Sequence, residues 1–155
     1  VLDLPDGVRV LAWSSLVGGG WAVAVPEGLR AVLPTGRFVD RPWTEVDHVA
    51  WDDESRMLAV RWVGGRPATP LEVAEGSFLP EVVHERVRAS VVLSLDVDVP
   101  GGATVRVALR KAADGTLSTQ AIPGRGAGLT DPEVAAVVER ARAQLRDEAG
   151  LPPGT

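Results

Sequence analysis

Apolar residues recur along this chain with two different periods, and the change from one to the other falls near Leu79. Before it, short apolar runs alternate with glycine- and proline-bearing turns, the spacing of a strand meander or small barrel. Val8–Val17 is apolar at most positions and Trp21–Val25 throughout. Between them, Gly18-Gly19-Gly20 tolerates the positive φ of a tight hairpin turn. Pro26-Glu27-Gly28 turns the chain into a strand over Leu29–Leu33, closed by Pro34-Thr35-Gly36. A loop containing Asp40-Arg41-Pro42 follows, and Trp43 leads into a strand over Val46–Trp51. The acidic turn Asp52-Asp53-Glu54-Ser55 precedes Met57–Val63, which Gly64-Gly65 ends. Thr69–Ala74 is a weaker strand, and Pro70 suits it to a sheet edge because proline has no N–H to give a neighbour. The expectation is six short strands in about 65 residues.

From Leu79 the apolar spacing becomes helical. Leu79, Val83 and Val87 recur every four residues, with Glu81, His84, Glu85 and Arg88 on other faces, which predicts a short amphipathic helix over 79–89. Pro80 fits its first turn, where a missing N–H costs nothing. Val91, Leu93, Leu95, Val97 and Val99 then alternate with Val92, Ser94, Asp96 and Asp98, the clearest strand in the chain. Pro100-Gly101-Gly102 returns it into Thr104–Arg110, which would set Asp96 or Asp98 near Arg106. Asp114-Gly115 is a hairpin signal before a weak strand over Leu117–Ile122. Thr130-Asp131-Pro132-Glu133 reads as a capping box with Thr130 as the cap. Val134, Val137, Val138, Ala141 and Leu145 form one stripe of the helix that follows, over 131–149. Gly150 ends it, and Leu151–Thr155 reads as a frayed tail.

These elements define an α+β chain, expected to be a single domain over 1–155. Its first part, 8–89, is a β-barrel or strongly bent sheet. The second, 90–150, is a β-β-β-α extension packed on it. Composition supports a self-sufficient core, since 45% of the 155 residues are hydrophobic. The absence of cysteine excludes disulfides, thiolate zinc sites, thiol nucleophiles and iron–sulfur clusters. A net charge of -5 disfavours nucleic acid and anionic membrane surfaces, so no nucleic-acid partner is expected. No apolar run reaches the ~20 residues of a membrane span. Val1–Gly7 lacks the basic and apolar segments of a signal peptide, and the expected location is the cytoplasm.

Four groupings carry residue types suited to chemistry or binding. Gly124-Arg125-Gly126-Ala127-Gly128 lies between a strand and a helix, where backbone amides cradle phosphate in nucleotide folds. It lacks a Gly-Lys-Ser/Thr sequence, and Asp131 and Glu133 in the next turn would repel a phosphate. Asp47, His48, Asp52, Asp53 and Glu54 cluster in sequence, but strand alternation sets His48 and Asp52 on one face, two ligands at most. His84 lies on the short helix, and none of Ser14, Ser15, Ser77, Ser90 and Ser94 sits in a nucleophile elbow. The reading is therefore no catalytic, cofactor-binding or metal-binding residue. The fourth grouping is the five tryptophans, Trp13, Trp21, Trp43, Trp51 and Trp62, in a chain without tyrosine. Most are expected in the core, whereas Trp43, beside Pro42 and a loop, is the one expected to meet a partner.

Several stretches resemble the bacterial pleckstrin-homology-like and GRAM-like domains over residues 8–89. They are Val8-Arg9-Val10-Leu11-Ala12-Trp13, Trp21–Val25, and above all Arg41-Pro42-Trp43-Thr44-Glu45-Val46-Asp47-His48-Val49-Ala50-Trp51-Asp52. Leu79-Pro80-Glu81-Val82-Val83 and Arg86–Val92 also make the whole chain similar to an uncharacterised family of small proteins from GC-rich Gram-positive bacteria. The resemblance implies a barrel closed by a helix and a non-catalytic interaction or scaffold domain. Its partner would be another protein or a second copy, docked on a sheet edge such as Thr69–Ala74 or in the groove beside the short helix. Domains of this kind also bind anionic headgroups from loops. Here Arg37 and Arg41 flank the loop before Trp43, and Asp40 and Glu45 dilute their charge, so lipid binding is not expected. Arg37, Arg41 and Trp43 are thus the expected partner-binding residues. The alternative is a small-molecule binder or enzyme with a pocket between the barrel and the β-extension.

Overall fold

The computed structural model describes residues 7–152. The first six residues of the Val1–Gly7 stretch, expected to lack a signal peptide, and the last three residues of the tail lie outside them. The chain is α+β and divides into two compact units. One runs to Ser90 and includes Ala112–Asp114, and the other comprises Val91–Lys111 and the chain from Gly115.

In the first unit, β1 (Ala12–Ser15), β2 (Trp21–Ala24), β3 (Gly28–Val32) and β4 (Phe38–Pro42) form one antiparallel sheet in sequence order. After a single 3-10 turn at Trp43–Glu45, β5 (Val46–Asp52), β6 (Met57–Trp62) and β7 (Thr69–Glu72) form a second. Helix α1 (Leu79–Ser90) follows. Alternation decides which side chains go inward. Ala22 and Ala24 of β2, Leu29 and Ala31 of β3, Leu58 and Val60 of β6, and Leu71 of β7 meet Leu79, Val83 and Val87 of α1 in one core. Small residues let β2 and β3 approach their neighbours closely, and a side chain at Gly28 would run into the Arg41 carbonyl.

The two sheets meet at one corner. Leu16 and Val73 form an isolated antiparallel bridge, the Val17 N–H donates to the Glu72 carbonyl at 3.0 Å, and Ala74 N–H donates to Ser15 at 3.3 Å. Among the described residues no sheet closes on itself, so the expected barrel takes the form of separate four- and three-stranded sheets. This unit has seven strands where six were expected. The added one is β4, in which only Val39 is buried; Asp40, Arg41 and Pro42 on an edge strand give no apolar alternation to read.

The second unit is an antiparallel meander of β8 (Val91–Asp98), β9 (Thr104–Lys111) and β10 (Leu117–Pro123), with α2 (Pro132–Glu148) after it. Val105 and Val107 pack against Val134, Val138, Ala141 and Leu145 of α2. The cross-strand ion pair is present, with Arg106 Nε 3.2 Å from Asp96 Oδ1. The helix cap is one residue later than expected. Asp131, not Thr130, is the N-cap, and its carboxylate accepts from the Glu133 N–H at 2.9 Å. Pro132 explains the shift, because its fixed φ suits N1 and places the residue before it at the cap. Among the described residues no helix is long and apolar enough to cross a membrane.

Candidate functional site

The expected partner-binding residues do not form one surface. Trp43 is 5% exposed and belongs to the core of the first unit, with its indole N–H donating to the Val25 carbonyl at 3.0 Å. This corrects its placement as an exposed anchor, since the 3-10 turn after Pro42 carries the ring inward rather than into solvent. Arg37 and Arg41 are exposed near opposite ends of β4. Arg41 lies 3.5 Å from Glu45, an exposed pair of small energetic weight. It also lines a small cavity of about 200 Å3 with Arg30, Asp40 and Glu27, where opposite charges offset one another. The most exposed tryptophans are Trp13, at 55%, and Trp51, at 37%, while Trp21 is partly exposed. Parity could have flagged Trp13, because it alternates out of phase with Leu16, whose side chain is in the core.

Sheet edges differ in what they offer a partner. At β7, the edge named from sequence, Pro70 has no N–H and the Glu72 carbonyl already accepts from Val17. At β1, the outward carbonyls of Trp13 and Ser15 accept from the Ser77 hydroxyl at 2.7 Å and the Ala74 N–H. These bonds run along a cleft of about 470 Å3 whose rim carries the exposed rings of Trp13 and Phe78.

The edge of β5 is different. Val73 N–H donates to the Arg56 carbonyl at 2.9 Å, which fixes the phase of the β6–β7 ladder: Leu58 and Val60 bond toward β7, and Met57, Ala59 and Arg61 toward β5. Their β5 partners are Asp52, Ala50 and His48. The N–H and C=O groups of Val49 and Trp51 therefore point away from the sheet, at its open edge. A bulge between Val46 and His48 starts this open stretch.

Alongside runs a groove of about 300 Å3, lined by Val49, Trp51 and Leu58 from the sheet and Pro80, Glu81 and His84 from α1. Its apolar floor follows from strand parity, since Val49 and Trp51 pair with the inward-facing Val60 and Leu58. Its other wall is set by α1, which buries Leu79, Val83 and Val87 and so turns Glu81 and His84 outward. The Leu79 N–H is received by the Ser77 hydroxyl at 3.1 Å, fixing where the helix starts.

Trp51 is held in place from behind by Arg56, whose guanidinium carbon lies 5.6 Å from its ring centroid. Arg56 is the single non-glycine residue with positive φ among those described, at 54°. The strained turn is tied down on both sides. Asp52 accepts from the Glu54 N–H at 3.1 Å and the Ser55 hydroxyl at 2.9 Å, and Arg56 donates to the carbonyls of Val73 at 3.1 Å and Ala74 at 2.8 Å. Glu81 is the acidic side chain in the lining of the groove, and Asp52, Asp53 and Glu54 follow Trp51 in the chain.

The acidic cluster noted in the sequence spends its oxygens locally. Asp52 caps its own turn, and Asp47 Oδ2 lies 3.0 Å from His48 Nδ1. Among the described residues no group of three or more His, Cys, Asp or Glu side chains converges as a metal ion requires. At the end of the glycine-rich segment, the first turn of α2 is served by the carboxylate of Asp131. No family model, curated protein or solved structure matches the chain.

Proposed function

We propose that the first unit is a non-catalytic, cytoplasmic interaction domain of pleckstrin-homology-like type that captures an extended, basic segment of a partner protein. The segment adds to β5 as a further strand and lies in the groove beside α1. The observation carrying this reading is the conjunction at β5 of outward backbone groups on Val49 and Trp51 with an apolar groove alongside. Backbone pairing supplies sequence-independent affinity. Alternate side chains of the segment enter between Trp51 and Pro80, and Glu81 in the groove wall favours lysine or arginine beside it. The order of a four-stranded sheet, a three-stranded sheet and a closing helix supports the pleckstrin-homology-like assignment.

The test is a titration of the isotope-labelled full chain with the blocked octapeptide (Val-Lys)4, and in parallel with (Val-Glu)4. The lysine peptide is expected to shift the amides of Val49 and Trp51 and the Trp51 indole, with affinity falling as salt rises. Equal binding of both peptides, or shifts confined to other surfaces, would refute the proposal.

A further inference from the structure

The second unit carries an open edge of its own. Strand β8 has eight residues and no proline, and it forms the outer strand of the order β10-β9-β8. The Val99 N–H donates to the Ala103 carbonyl at 3.0 Å, which sets the phase: Leu93, Leu95 and Val97 bond toward β9, and Ser94, Asp96 and Asp98 direct their N–H and C=O groups outward. The opposite edge of the same sheet is blunted. There Arg142 Nη1 donates to the outward Thr119 carbonyl at 3.2 Å and to its hydroxyl at 2.8 Å, and Pro123 closes the strand.

The central stretch of β8, Leu93–Val97, is self-complementary about Leu95. Leu93, Leu95 and Val97 are half-buried against the α2 core, while Ser94 and Asp96 are exposed on the other face. Turned through a two-fold axis at Leu95, the strand sets Leu93 opposite Val97, Leu95 opposite itself, and Ser94 opposite Asp96. From Leu93 to Val97 apolar residues meet apolar ones and polar residues polar ones, and at the two flanks the exposed Val92 meets Asp98. The outward groups of Ser94 and Asp96 then face each other as hydrogen-bonded pairs. Each Asp96 already has Arg106 on its inner side and gains the Ser94 hydroxyl of the other copy on its outer side. Moving the axis to Val97 would instead set Asp96 against Asp98 twice, like charges directly opposite, so charge disfavours that register.

We infer that two copies of this chain pair through antiparallel β8 strands, joining their three-stranded sheets into one of six strands with isologous symmetry. The pairing completes the cover over Leu93, Leu95 and Val97, which α2 of one copy leaves half-exposed. This surface is independent of the β5 groove, so either assignment can fail alone.

Sedimentation equilibrium of the full chain from about 1 µM to about 1 mM tests it, with dimer formation expected inside that range. Ser94→Asp sets a carboxylate opposite Asp96 at two symmetry-related places and is expected to weaken the dimer roughly tenfold. Ser94→Arg sets a cation there and is expected to strengthen it by a similar factor. Hydrogen exchange at the Ser94 and Asp96 amides is expected to slow as protein concentration rises. A monomer throughout the range overturns the inference. So does a dimer whose dissociation constant stays within about twofold in both variants, since that dimer would be built elsewhere.

Discussion

Replacing Trp43 by phenylalanine separates a core residue from a surface anchor, and its cost follows from the local geometry. The change removes the indole N–H, 3.0 Å from the Val25 carbonyl. That carbonyl also accepts from the Gly28 N–H at 3.2 Å, so it loses one partner and keeps one, a penalty near the low end of about 1 kcal/mol. The smaller ring leaves a void of roughly 40 Å3 in a packed core, which at about 24 cal/mol per Å3 adds about 1 kcal/mol. Together the expected loss is about 2 kcal/mol. All five tryptophans precede Ser90, so their fluorescence reports the first unit alone. With a urea dependence of about 2 kcal/mol/M, the fluorescence midpoint should fall by about 1 M. A loss under about 0.5 kcal/mol, the usual cost of a surface substitution, would show that the ring is not packed as described.

Two further substitutions probe the supports of the two units. Arg56→Ala removes the donors to the Val73 and Ala74 carbonyls and the cation behind Trp51, while leaving the unfavourable positive φ in place. It should cost about 2 kcal/mol by urea unfolding and make tryptophan fluorescence more accessible to acrylamide; unchanged quenching would contradict the placement of Trp51. Asp131→Ala should destabilise α2 by about 1 kcal/mol, read as faster hydrogen exchange in its first turn, whereas Thr130→Ala should leave exchange unaltered. A larger effect of Thr130→Ala than of Asp131→Ala would return the cap to Thr130.

What the sequence makes legible is what local periodicity encodes. The alternation from Val91 to Val99 and the stripe from Val134 to Leu145 each reappear as one strand and one helix, because a half-buried element writes its own period into its residues. Strand β4 was illegible because an edge strand that buries only Val39 has no such period. The cap of α2 was ambiguous because Thr130 and Asp131 are both good cap residues, and only the position of Pro132 separates them. Trp43 was misplaced because proximity to a loop says nothing of where a turn points a side chain. The β5 groove was foreshadowed as the space beside the short helix, but its lining was not. Which strand edge stays open depends on pairing between residues far apart in sequence, such as the bonds that occupy Glu72, Ser15 and Thr119. No local pattern records those.

Amide hydrogen exchange of the free protein at Val49, Ala50 and Trp51 tests the central claim most directly. If β5 is an open edge, the Val49 and Trp51 amides exchange orders of magnitude faster than that of Ala50, which the ladder pairs with Ala59. Equal protection at all three would mean that the edge is already covered and that no partner strand can add there.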